Sequence, residues 1–266
     1  MQANAVTSTP DARDARLVVS VVSHGQGELV DRLLADIAEH WDHPRLAVVL
    51  TQNLPESDPA MAEGVPFPLH IVRNLRPRGF AANHNAAYST LDSDIFCVVN
   101  PDVRCPRDPV PALLEALAEP DVALAAPLVV SPGGEVEDSA RRRITPGRIL
   151  RRGLGMDAGP DYEIDPARPV YPDWVAGMFM ALRSEAFAGV GGFDERYQLY
   201  CEDADLCMRL WSGGHRVRLV PAVHAVHDAR RQSHRDMKYL RWHIASLMRF
   251  FVRYPGHRPL RDVGAA

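Results

Sequence analysis

The sequence predicts an α/β fold, a mostly parallel central sheet covered by helices on both faces. Three observations lead there. Short β-branched runs such as Leu-Val-Val-Ser-Val-Val-Ser (17–23) lack polar alternation, as strands buried on both faces do. Segments with apolar residues at helical spacing alternate with these runs. Turn and polar residues follow the runs (His24, Thr51, Asn74 and Asn100-Pro101-Asp102), at the strand ends where such sheets bind ligands.

In chain order, Leu17 to Ser23 is the first strand, broken by His24-Gly25-Gln26-Gly27. Glu28 to His40 carries Leu29, Leu33, Leu34 and Ile37 on one helical stripe. Leu46 to Leu50 and Leu69 to Val72 are the next strands, Phe80 to Leu91 a helix, and Ile95 to Val99 a fourth strand. Asp108-Pro109 is a helix start, a cap followed by proline, for Val110 to Leu117. Val122 to Ala126 is a further strand. Ser131 to Pro169 is rich in Gly, Pro and Arg and lacks periodicity, so it reads as an excursion outside the core. Apolar structure resumes at Trp174 to Leu182, and Ser184 is placed to cap a short helix to Val190. Glu202 to Trp211 is helical and stopped by Gly213-Gly214. Val217 to Val220 is the last strand and Asp236 to Tyr254 the last helix. Residues 1–16 read as a disordered leader and 17–266 as one domain. Within it, 17–130 form a first half, 131–235 a second half, and 236–266 a terminal helix and tail.

Composition narrows the function classes. With 266 residues, 46% apolar and 24% charged, the chain has the make-up of a soluble globular protein. A net charge of −4 disfavours a general nucleic-acid surface. Cys97, Cys105, Cys201 and Cys207 form no C-x-x-C pair, which speaks against zinc and disulfide frameworks and for a reducing cytoplasm. No run approaches the ~18 apolar residues of a membrane span, and the N-terminus lacks a signal-peptide core.

Several constellations carry chemistry, each with a plainer reading beside it. Glu202-Asp203-x-Asp205 opens a helix. It supplies either a general base or charges that suit the helix dipole. Helical spacing puts Glu202 and Asp205 on one face and Asp203 on another, so at least one acid is structural. Asn100-Pro101-Asp102 places a carboxylate at the ligand crevice, where it holds a cation against a diphosphate or only makes a turn. Arg73 to Phe80 brings three arginines to a glycine and a helix start, a diphosphate cradle or a solvated loop. His224, His227 and His234 lie beyond the last strand; a ligand role for His227 alone competes with a structural one. Trp174, in Asp173-Trp174-Val175-Ala176-Gly177, is a stacking face for a sugar or a core residue. Arg141, Arg142, Arg143, Arg148, Arg151 and Arg152 meet phosphates or anionic lipid, or sit in a mobile solvated loop.

Taken in order, these pieces resemble family 2 glycosyltransferases, especially bacterial rhamnosyltransferase-like members. The matching pieces are Val21-Val22-Ser23-His24, Arg78-Gly79-Phe80-Ala81-Ala82-Asn83-His84-Asn85 and Asn100-Pro101-Asp102-Val103. Asp173 to Gly177, Gly191-Gly192-Phe193-Asp194-Glu195, Glu202 to Leu206 and Val226-His227 complete the set. The resemblance implies the glycosyltransferase A fold with its Rossmann-like sheet, and an inverting transfer of a sugar, rhamnose among the candidates. It implies a dTDP- or UDP-sugar donor, and a saccharide or polyprenyl-diphosphate-linked acceptor of surface polysaccharide synthesis. It implies magnesium or manganese at Asp102 and His227, with Asp203 as catalytic base and Glu202 next to it. Ser23, His24, Gln52, Asn53, Arg78, Gly79, Asn83, Asn100 and Asp102 take donor-binding places, and Trp174 and Gly177 the acceptor side. One departure is Gln52, where family members usually carry an aspartate. Two other readings stay beside this one. The first is a non-catalytic sugar- or nucleotide-binding relative; the second is a nucleotidyltransferase, whose phosphate-loop lysine is missing from His24 to Gly27.

The terminal segment from Lys238 to Tyr254 mixes basic and aromatic residues. It suits peripheral contact with the inner face of the plasma membrane, packing across the domain, or a homodimer.

Overall fold

The computed structural model describes residues 14–156, 159–165, 168–228 and 237–255. Its core is an eight-stranded sheet. Four strands come from the first hundred residues: β1 (Leu17–Ser23), β2 (Leu46–Gln52), β3 (Leu69–Arg73) and β4 (Ile95–Val99). The others are β5 (Val103–Arg104), β6 (Val122–Val130), β9 (Phe179–Arg183) and β10 (Arg216–His227). The order across the sheet is β3-β2-β1-β4-β9-β6-β10-β5. A separate two-stranded ribbon joins β7 (Ala140–Arg141) to β8 (Trp174–Val175). Strands β1 to β4 pair in parallel, as do β6 and β10. Strand β9 is antiparallel to both β4 and β6, and the short edge strand β5 is antiparallel to β10.

Successive side chains of a strand point to opposite faces, and the two faces build two apolar clusters. On one face Val18, Val49, Phe96 and Val98 meet α2 (Phe80–Tyr88), α5 (Ser184–Gly189), α6 (Glu202–Ser212) and α7 (Met237–Arg253). On the other, Val19, Val48, Cys97 and Val99 meet α1 (Gly27–His40) and α3 (Val110–Leu117). The stripe read from the sequence of α1 is buried: Leu29, Leu33, Leu34 and Ile37. Asp36 is buried on the same helix because Arg104 of β5 and the Cys105 N–H both reach its carboxylate. All four cysteines are buried free thiols.

The structure corrects the sequence reading where pairing partners are distant. The last strand extends from Arg216 to His227 and β6 to Val130, because each lends the other a hydrogen-bonding edge. A register shift between Val220 and His224 absorbs Pro221. Trp174 to Leu182 is two strands, β8 and β9, separated by Ala176-Gly177-Met178. The expected excursion contains α4 (Pro146–Gly153), whose first turn is capped by Thr145 Oγ1 accepting from the Arg148 N–H at 3.2 Å. Nor is its basic cluster wholly solvated: Arg141 and Arg152 pair with Asp138, and Arg148 and Arg152 with Asp161. Ser184 is the first residue of α5, and its hydroxyl meets Ser93 Oγ at 2.8 Å, so it is not the cap. Asp108 accepts from the Val110 N–H at 2.9 Å, but it stands one residue before the N-cap of α3, which is Pro109 and has no side-chain cap. At the expected leader, Ala15 is buried and Arg16 is fastened to Asp94 through its backbone N–H and its guanidinium. Residues 1–13 and His234 lie outside the described residues.

Candidate active site

The carboxyl ends of β1, β2 and β3 carry a polar floor. Asn53 Oδ1 accepts from the Arg78 N–H at 2.8 Å and from Asn74 Nδ2 at 2.7 Å. Its own amide donates to the Arg78 carbonyl at 2.9 Å and lies 3.2 Å from His24 Nδ1. Asn74 Nδ2 also reaches Asn83 Oδ1, and Asn83 Nδ2 donates to the Arg78 carbonyl. Asn53 and Asn83 are buried. These two expected donor-binding residues therefore hold the 74–79 loop, and their polar atoms are already engaged. Ser23 is likewise buried, donating to Glu56 Oε2 at 2.8 Å and accepting from the Gln26 N–H. His24 and Arg78 are the exposed members of the set.

Gly79 opens α2 against another backbone: a Cβ there would stand 2.8 Å from the Gln198 carbonyl oxygen. On the buried face of α2, His84 packs against Phe80 and meets Ser20 Oγ at 2.8 Å. Burial drives its pKa down to about 3. Gln52 is buried and turns its amide nitrogen to the Ser57 carbonyl and Asp58, while its Oε1 has no partner.

Asp102 follows β4 and His227 ends β10, 125 residues later in sequence. Edge strand β5 brings them together, since Val103 pairs with His227 and the Asp228 N–H donates to the Asp102 carbonyl. His227 Nε2 lies 3.4 Å from Asp102 Oδ2, and Nδ1 lies 2.7 Å from Glu137 Oε2. Burial opposes charge on the imidazole, but hydrogen bonds and charge from Asp102 and Glu137 outweigh it and raise its pKa to about 9. Asp102 Oδ1 is buried and unpartnered. Among the described residues no cluster of three or more His, Cys, Asp or Glu side chains is arranged to hold a metal. The Asp102–His227 pair still fits a divalent ion that takes its remaining ligands from phosphates and water, the usual mode for magnesium and manganese.

The three acids open α6 in an unusual backbone setting. Tyr200 and Cys201, just before them, both have positive φ, 70° and 66°. Such strain in non-glycine residues persists only where the surroundings impose it. Asp205 is fully buried and its oxygens are taken by Arg209 at 2.7 Å and Tyr254 at 2.9 Å, with Arg253 at 3.3 Å. Asp203 Oδ2 accepts from the Gly177 N–H at 3.1 Å and Oδ1 from the Ala204 N–H at 2.8 Å. Glu202 is 4% exposed, and its Oε2 is buried without a partner. Burial pushes the Glu202 carboxyl well above its ordinary range, and the Asp203 charge adds to this. Burial also raises Asp203, but the Ala204 and Gly177 amides and Arg141 pull against it. Of the two, Glu202 is the acid that burial pushes furthest toward its neutral form, while the two amides and Arg141 favour charge on Asp203.

Gly177 and Met178 tie the acids to the crevice. The Gly177 N–H donates to Asp203, and the next residue, Met178, accepts from the Asn100 N–H at 2.9 Å. Asn100, at the end of β4, and the start of α6 thus share a two-residue bridge. Gly177 must lack a side chain there, because a Cβ would stand 2.9 Å from Phe80 Cζ. Trp174 takes the core alternative of its two readings. Its indole is 7% exposed, its Nε1 donates to the Arg142 carbonyl, and the Arg141 guanidinium covers the ring at 5.4 Å. The β7–β8 ribbon places Arg141 opposite Trp174, so the ring is core and not an open sugar platform.

Sequence reasoning placed Asn74 at the crevice but missed Glu137 as a partner of His227, and the role of Asn85. The Asn85 side chain clasps the Gly192-Phe193 loop, accepting from the Phe193 N–H and donating to the Phe193 carbonyl. Glu137 sits in an aperiodic stretch and gives no local signal. Asn85 lies inside a quoted motif, where an amide on a helix face toward a glycine pair was the available clue.

Residues 18–186 match the family described as glycosyl transferase family 2. The chain is 27% identical over 255 residues to the rhamnosyltransferase WbbL of Escherichia coli K12, covering 88% of this chain and 92% of that protein. It is 28% identical over 244 residues to the N-acetylglucosaminyl-diphospho-decaprenol L-rhamnosyltransferase of Mycobacterium tuberculosis, covering 83% and 78%. Among solved structures, the Pyrobaculum calidifontis mannosyltransferase with GDP-Man and Mn2+ superposes with a TM-score of 0.62 at 20% identity, over 92% of this chain and 66% of that one. GalNAc-T7 with UDP, GalNAc and Mn2+ gives 0.63 at 15% identity, over 82% of this chain and 44% of that one. These likenesses show the glycosyltransferase A fold.

Proposed function

From the premise that the chain belongs to glycosyl transferase family 2, we propose that it is an inverting enzyme with a dTDP- or UDP-sugar donor, L-rhamnose being the sugar that its relatives favour. The acceptor is a saccharide carried on a polyprenyl diphosphate. The observation that carries this reading is the bridge from Asn100 through Met178 and Gly177 to Asp203. It sets a charged carboxylate beside the strand end that presents Asp102.

The reaction is a single displacement. The acceptor hydroxyl oxygen attacks the anomeric carbon, a new C–O bond forms, and the bond to the diphosphate oxygen breaks with its electron pair leaving on the nucleotide. Asp203 takes the hydroxyl proton. Two backbone amides hold its carboxylate in place, and Glu202, neutral and buried beside it, adds no second negative charge. A magnesium or manganese ion at Asp102 and His227 would supply Lewis-acid neutralisation of the leaving diphosphate. Arg78, exposed beside the floor, would meet the same phosphates.

The acceptor class draws on the surface as well. Leu240, Ile244, Met248 and Val252 form an exposed apolar line along α7, with Arg241, Arg249 and Arg253 beside it. A cavity of about 540 Å³ is lined by Met248, Val252, Arg196 and Arg249. Such a face suits an anionic lipid surface, while no described helix is long and apolar enough to cross a membrane. The test is a panel of dTDP- and UDP-sugars with a polyprenyl-diphosphate acceptor, reading nucleoside diphosphate release and product anomer. Transfer with inverted configuration is expected. A retained anomeric configuration, or donors that react only when carried on other nucleotides, overturns the proposal.

A further inference from the structure

Glu137 belongs to none of the motifs above, yet the fold delivers it to the His227 ring. Strand β6 turns back on itself at Ser131 to Glu135. The Gly134 N–H donates to the Ser131 carbonyl, and Gly134 holds a φ of 82° that the turn needs. The returning chain bridges Val136 to Val130, and the Glu137 N–H donates to the Val129 carbonyl at 2.9 Å. Val130 in turn pairs with Val226 of β10, the neighbour of His227. Backbone hydrogen bonds on both sides therefore fix where the Glu137 side chain starts. Its Oε2 ends 2.7 Å from His227 Nδ1, while Nε2 on the opposite side of the ring faces Asp102 at 3.4 Å.

A carboxylate only accepts hydrogen bonds, so this contact requires a proton on Nδ1. In the neutral ring that leaves the Nε2 lone pair free toward Asp102. Outer carboxylates of this kind set the tautomer and the ring orientation of metal-ligating histidines. We propose that Glu137 is a positioning residue, which holds His227 in the tautomer and orientation that present Nε2, with Asp102, to a divalent cation. This rests on the reading of Asp102 and His227 as the cation site.

The test is manganese(II) titration in the presence of dTDP or UDP, with free ion followed by electron paramagnetic resonance. E137A should weaken manganese binding roughly 10- to 100-fold. E137Q keeps the side-chain volume and an amide oxygen that accepts from Nδ1–H, so it should recover part of the loss. Since Glu137 acts through His227, E137A should cost nothing further in an H227A background. Thermal midpoints of the single variants should stay near wild type. If H227A and D102A weaken binding and E137A does not, Glu137 has no positioning role and the cation site stands. An undiminished E137A loss in the H227A background also overturns the proposal. If neither H227A nor D102A changes manganese binding, the cation-site reading itself falls.

Discussion

The floor at the ends of β1 to β3 and the helix start at Glu202 are both polar and largely buried, but they are built on opposite terms. On the floor, Asn53, Asn74 and Asn83 satisfy one another and the Arg78 backbone. At the start of α6, Glu202 keeps an unpartnered oxygen, burial raises two neighbouring carboxyls, and two non-glycine residues hold positive φ. A saturated amide network costs little to bury and fixes a shape. Adjacent buried carboxyls cost free energy, and under the proposed function what they return is a base held ready for a proton. Shape is thus assigned to one region and chemistry to the other.

Four substitutions can break or sharpen that contrast. Asp203→Asn should lower turnover by roughly 100- to 10,000-fold, with donor affinity and thermal midpoint close to wild type. Near-normal turnover would remove the base assignment and, with it, the chemical half of the comparison. Asn53→Ala should do the reverse. It strands the Arg78 N–H and an Asn74 donor, each at a cost of about 1–3 kcal/mol, so the denaturant midpoint should fall clearly. An unchanged midpoint would show that the floor is not held by its amides.

His84, beneath the floor, adds a pH signature. Its folded pKa of about 3 lies below the unfolded value near 6.5, so the unfolded chain binds the proton first. The stability it contributes is complete above pH 6.5 and is lost as pH falls toward 3, about 2 kcal/mol of it by pH 5. His84→Asn should flatten that acid limb in urea titrations at successive pH values. Glu202→Gln gives the smallest effect and the opposite slope. The folded carboxyl binds its proton more tightly than the unfolded one, so wild-type stability declines as pH rises above the ordinary glutamate range. The glutamine variant should gain on wild type from pH 5 to pH 8, and parallel curves would rule out a strongly raised Glu202.

The same contrast explains what was legible in the sequence. Strands β1, β2 and β4 could be read because burial on both faces writes a mostly apolar run, without polar alternation, into five to seven residues. The acids of α6 could be read because their spacing is local. Pairing between distant segments leaves no such trace. The full length of β10 depends on β6, and the antiparallel direction of β9 on two neighbours made well before it, β4 and β6. Thr145 to Gly153 held a cap and a helix-start proline, yet its arginines masked an amphipathic turn packed by Asp138 and Asp161. Among the expected site residues, the fold brings Asp102 to His227, and Asn100 to Asp203 through Gly177 and Met178. It turns Asn53, Asn83 and Trp174 inward, because their polar atoms find partners that only the tertiary structure supplies.

Strand β9 has a further consequence, for synthesis. It is encoded by residues 179–183 but lies between β4 and β6, which leave the ribosome far earlier. Until it arrives, the β4 edge is unpaired, and β6, whose other neighbour β10 is made later still, has no strand partner. At roughly 5–20 residues per second the stretch from Val130 to Arg183 takes about 3–10 s to make. The nascent chain passes through that interval as an open sheet, the stage at which chaperones would meet it and at which release of a truncated product would favour aggregation over folding.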